Sequence, residues 1–78
     1  MQVLFNYTLV RERMYDLNLT QQKLANYLNE NGVKTSIPAV QHWFRKDKQT
    51  RSMPDISRLV LISRLLNLDI NDLILIDD

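Results

Sequence analysis

Few residues in this 78-residue chain can do bond-making chemistry. There is one histidine, His42, one glycine and no cysteine. The carboxylates are scattered, and none falls at the spacing of a nucleophile–base pair, a phosphate loop or a metal site. The expectation is a binding protein, not an enzyme, with no cofactor and no metal. What the chain concentrates is charge. Residues 34–52 carry Lys34, Arg45, Lys46, Lys48 and Arg51 against Asp47 alone, a local net of +4. Residues 1–33 sum to zero and residues 53–78 to −3, so the overall +1 conceals a basic centre. Clustered cations neutralise phosphates, and such a centre is the electrostatic footprint of nucleic-acid contact. The same charges would also suit a solvated loop.

The elements that must position this segment read as helices. Gly32, Pro38 and Pro54 cut a chain otherwise free of breakers. A first helix is expected over about Leu4 to Leu17, because Leu4, Tyr7, Val10, Met14 and Leu17 recur at three- and four-residue steps. Asn18 is a left-handed stop. Thr20 caps a second helix whose buried side is Leu24, Ala25 and Leu28, and Gly32 closes it. Ser36 caps a third, with Pro38 in its first turn and Val40, Trp43 and Phe44 facing the core. Lys48 to Met53 reads as a loop. Pro54 and Asp55 open a fourth helix that ends at Asn67, and Asp69 caps a short fifth. The fold class expected is all-α: one compact five-helix bundle over residues 1–78.

A domain this small buries only roughly 60% of its unfolded surface and gains by pairing. The tail Leu73-Ile74-Leu75-Ile76 is apolar beyond what one small core needs, which predicts a homodimer contact there. The start of the chain shows no secretory signal. Its apolar runs fall far short of the ~20 residues that span a bilayer. Together with the missing cysteines, this suits a cytoplasmic protein without a membrane partner.

The informative unit is the second helix, the turn and the third. A helix that reads duplex DNA must enter a groove about 12 Å wide while its partner helix crosses the backbone. Close approach of the two requires a small residue such as Ala25. The segments Leu19-Thr20-Gln21-Gln22-Lys23-Leu24-Ala25-Asn26-Tyr27-Leu28, Ser36 to Trp43, and Leu59 to Leu73 behind Pro54 together resemble the Cro and phage-repressor (XRE-type) helix-turn-helix family. The resemblance spans roughly residues 10–75 and implies a lambda-repressor-like domain. Two stretches are longer than is usual in that family. Asn29-Glu30-Asn31 and Val33-Lys34-Thr35 precede the third helix, and the loop between Trp43 and Pro54 follows it.

The resemblance implies a transcriptional regulator, Cro-like and repressing, that binds a double-stranded DNA operator as a homodimer, with residues of about 36–46 as the recognition helix. By position, Gln21 matches a phosphate-gripping glutamine, and Ile37, Pro38, Gln41 and His42 match base-facing positions. Gln41 offers a bidentate bond to adenine, and His42 a bond to a guanine acceptor or a phosphate. Ile37 and Pro38 can only pack on thymine methyls or sugar. Backbone contacts fall to Lys34, Thr35, Ser36, Arg45, Lys46, Lys48 and Arg51. Two alternatives remain open. The apolar Ile37-Pro38-Ala39 suits a protein-interaction module on the same fold, such as an anti-repressor or a modulator of another phage regulator. An antitoxin would bind both DNA and a protein partner.

Overall fold

The computed structural model describes residues 1–77. Among them, four α-helices and a 3-10 turn are joined to a two-stranded antiparallel sheet built from the two ends of the chain. In chain order these are β1 (Gln2–Phe5), α1 (Tyr7–Asp16), α2 (Gln21–Glu30), α3 (Ile37–Trp43), α4 (Ile56–Leu66), the turn Ile70–Leu73 and β2 (Ile74–Asp77). The architecture is therefore mixed helix and sheet, which corrects the expectation of an all-α five-helix bundle.

Two segments account for the difference. Leu4 fits the helical spacing of α1, yet residues 2–5 are extended and pair with β2 in the register Val3–Ile76, Leu4–Leu75 and Phe5–Ile74. The fifth helix shrinks to the 3-10 turn, capped as expected by Asp69, whose Oδ1 accepts from the Asn71 N–H at 2.9 Å. Branched residues 74 and 76 then continue as strand. Their partner strand meets the backbone demands that a longer helix would have met locally. Asn6 secures the junction: its N–H donates to the Leu73 carbonyl at 2.8 Å and its Nδ2 to the Asp72 carbonyl at 2.9 Å.

The helix boundaries obey local chemistry. Thr20, Ser36 and Asp55 each accept a bond from the N–H three residues on, at 3.1, 3.2 and 3.1 Å. Asn18, Gly32 and Asn67 have φ of 56°, 84° and 54°, and each closes a helix. The following N–H bonds back in every case: Leu19 to Met14, Val33 to Leu28 and Leu68 to Ser63, all within 3.0 Å.

One core joins β1, the four helices and the 3-10 turn: Phe5 from β1, Val10 and Met14 from α1, Leu24, Ala25 and Leu28 from α2, Val40 and Trp43 from α3, Leu59, Ile62 and Leu66 from α4, and Leu73 from the turn. Burying the branched and aromatic side chains among them stabilises by about 1.5–3 kcal/mol each. Phe5 meets the far end of α3 edge-on, with ring centroids 6.4 Å from Trp43 and 5.9 Å from Phe44. The sheet thus contributes a wedge against the helix that matters most below.

Candidate nucleic-acid interface

Helix α3 is seven residues long and packs through Val40 and Trp43, both buried. Trp43 is core as its spacing predicts, and Phe44 is half-buried beside it. Pro38 and Gln41 lie exposed, while Ile37 and His42 are half-buried. The Arg45 guanidinium stands 3.4 Å from His42 Nε2, which joins the end of the helix to the basic stretch. On α2, Gln21 is half-buried in the first turn, and Gln22 bonds Asn26 at 3.0 Å.

The cations expected to grip phosphates fall into three groups. Lys34, Arg45 and Lys46 are exposed, and among the described residues no carboxylate pairs with them. Lys48 donates to Asp77 Oδ2 at 2.7 Å, tying the loop after α3 to the end of β2. Both side chains of this pair are well exposed, so water and salt weaken it and it remains available for exchange.

Arg51 is a different case. Its Nε donates to the Arg45 carbonyl at 2.6 Å, Nη2 to the Lys46 carbonyl at 2.9 Å and Nη1 to the Phe5 carbonyl at 3.1 Å. Its guanidinium carbon lies 4.4 Å from the Tyr7 ring centre. Three of its five N–H donors are engaged and one face lies on an aromatic ring, so most of its binding capacity is spent on the scaffold.

Thr35 is engaged within the fold as well. It is buried, its hydroxyl donates to the Val33 carbonyl at 2.8 Å, and Oγ1 accepts from Arg58 Nε at 3.0 Å. The Ser36 hydroxyl is occupied in capping α3.

Sequence reasoning missed the residues that shape this turn. Asn29 bonds Thr35 through both the N–H and the carbonyl of its backbone. Arg58 of α4 donates to the Lys34 carbonyl, to Thr35 Oγ1 and, at 2.8 Å, to Asp55 Oδ2. A signal existed for Asn29: a long turn leaves backbone groups unpaired, and asparagine is suited to satisfy them. Arg58 had none, since it lies 23 residues from Thr35.

The tail also resolves residue by residue. Leu73 is wholly buried in the core of its own chain. Ile74 is half-buried opposite Phe5. Leu75 and Ile76 stay 44% and 63% exposed, with Val3 at 47% opposite Ile76. No described helix is long and apolar enough to cross a membrane.

Comparison with protein-family models, with curated proteins and with solved structures finds no significant match to this chain.

Proposed function

We propose that the chain is a sequence-specific DNA-binding transcriptional regulator of the helix-turn-helix type, a Cro-like repressor that binds a duplex operator as a homodimer. One observation carries the reading. Helix α3 spends Val40 and Trp43 on the core and leaves Pro38 and Gln41 to solvent, with Lys34 before it and Arg45 and Lys46 after it exposed. A helix presented this way meets the needs of major-groove entry: polar reach on the outer side, cations at both ends and a second helix behind. On this reading the chain is a binding protein rather than an enzyme and works in the cytoplasm.

In the groove, Gln41 reads an adenine edge and His42 a guanine acceptor or a phosphate. Ile37 and Pro38 pack on methyl or sugar surface. Gln21, Lys34, Arg45, Lys46 and Lys48 hold the backbone, supplying affinity without sequence information. The second copy docks on the exposed apolar residues of the sheet, Leu75 and Ile76 together with Val3. Two-fold pairing doubles the contacts and matches a palindromic site.

A mobility-shift titration across salt concentrations tests this. DNA binding predicts a steep loss of affinity, with log–log slope of about −0.9 per neutralised phosphate. Selection of bound duplexes from a random pool should return a palindrome. A chain that shifts no duplex at low salt but co-purifies with another small helical protein would instead be an interaction module. The exposed Pro38 beside Ile37 and Ala39 favours that second reading.

A further inference from the structure

Helix α3 is too short to hold its own direction. It has seven residues, and it is flanked by a long turn on one side and a loop of about a dozen residues on the other. Isolated helices of this length are unstable in water, so neighbouring contacts must fix its orientation.

Two arginines supply those contacts at opposite ends. Before α3, Arg58 of α4 holds the turn by the Lys34 carbonyl and Thr35 Oγ1 and is itself held by Asp55. After α3, Arg51 takes the carbonyls of Arg45 and Lys46. It anchors them to the Phe5 carbonyl at the end of β1 and to the Tyr7 ring at the start of α1. Each guanidinium thus binds backbone next to α3 to a different part of the scaffold. We propose that Arg58 and Arg51 are positioning residues, a pair of latches that set the angle at which α3 meets its ligand.

The proposal rests on the DNA-binding reading for its ligand but not for its mechanics. A planar fork with five donors can serve several carbonyls at once, whereas a lysine ammonium has neither the shape nor the reach. Arginine-to-lysine changes therefore keep the charge and break the latch. This separates positioning from phosphate contact, because a phosphate ligand would survive such a change.

The test uses the full chain with three substitutions, Arg51→Lys, Arg58→Lys and, as a control on the exposed side of α4, Arg64→Lys. Affinity is measured for a duplex selected by the wild type and for an unrelated duplex of equal length. Amide hydrogen exchange is followed along the chain. Each latch variant should lose about tenfold in affinity for the selected duplex. It should keep its affinity for the unrelated duplex within about twofold and its salt slope unchanged. Amides of residues 37–43 should exchange faster while those of α1 and α4 do not. The control should match the wild type throughout.

Two results would overturn the proposal. In one, the lysine variants bind as the wild type does, while Arg51→Met flattens the salt slope by about 0.9, making Arg51 a phosphate ligand. In the other, both duplexes lose affinity equally and exchange rises evenly, making the arginines general stabilisers. If the wild type selects no duplex, the DNA reading fails on its own, and the exchange pattern alone decides the latches. Should a lysine variant fail to fold, Thr35→Val replaces it on the Arg58 side, losing the hydroxyl that meets Arg58 and the Val33 carbonyl, and Tyr7→Leu on the Arg51 side, losing the ring that Arg51 and Arg11 share.

Discussion

The side-chain amide of Asn29 grips the backbone of Thr35 from both directions: Nδ2 donates to the Thr35 carbonyl at 2.9 Å, and Oδ1 accepts from the Thr35 N–H at 2.8 Å. The same Nδ2 reaches the Ala25 carbonyl at 2.8 Å. One side chain thereby imitates a short β-pairing and closes the turn between α2 and α3. Without it, the Thr35 N–H would face a buried site with no acceptor. Asn29→Ala should therefore cost about 1–3 kcal/mol in urea unfolding. Asn29→Asp keeps the acceptor but turns an anionic oxygen toward the Ala25 and Thr35 carbonyls, so it should not recover that loss. A loss below about 0.5 kcal/mol for the alanine variant would remove the clamp from the account of the turn.

Asp55 caps α4, accepting from the Arg58 N–H at 3.1 Å and pairing with Arg58 Nη1 at 2.8 Å. The donated backbone N–H comes first, then the guanidinium, in holding the carboxyl below its ordinary value of 3.8, while its slight burial opposes them. A pKa depressed by folding adds stability above the unfolded value and loses it as pH falls through the folded one. Asp55→Asn keeps a capping oxygen but does not titrate. The stability gap between wild type and Asp55→Asn should hold near neutrality and shrink below pH ~4. A gap that stays constant as the solution is acidified would show that the charge of Asp55 contributes nothing.

Charge and base reading separate on α3 and the segment after it. Gln41→Ala should lose about 1–3 kcal/mol at one base position and little on unrelated sequence. Lys46→Ala should weaken every duplex alike and flatten the salt slope by about 0.9. Lys48→Ala should flatten it less, because its ammonium already pairs with Asp77. Equal slopes for all three variants, measured by mobility shift, would mean that the groove-facing surface lies elsewhere.

The apolar tail offers an internal contrast. Leu73→Ala removes a wholly buried side chain and should destabilise the chain by about 2–5 kcal/mol. Ile76→Lys changes an exposed residue and should alter folding by no more than about 0.5 kcal/mol. On the homodimer reading, it should nevertheless shift sedimentation toward the monomer. If Ile76→Lys leaves the association state unchanged, the second copy docks on another surface.

Short-range signals carried most of the helical layout. Thr20, Ser36 and Asp55 act on an N–H three residues away, and Asn18, Gly32 and Asn67 fold back on the turn just completed. Such signals operate within one helical turn, so they are visible in the order of residues. The same holds for the buried stripe of Leu24, Ala25 and Leu28 and for Val40 and Trp43. The outward side of α3 follows by subtraction, and Gln41, which the resemblance implied to be base-facing, lies exposed there.

Tertiary structure decided everything that joins distant parts of the chain. Leu4 has helical spacing, but its extended state depends on Leu75, its partner in β2. Arg51 reads as one more cation in a basic run until the Phe5 carbonyl and the Tyr7 ring tie it to the scaffold. Arg58 gains a role only where the turn carbonyl of Lys34 and the Thr35 hydroxyl meet it. Residue order expresses the preference of each segment for its own conformation. Which carbonyl a distant guanidinium satisfies, and which strand a terminal segment finds, depends on packing that forms only once the core has closed.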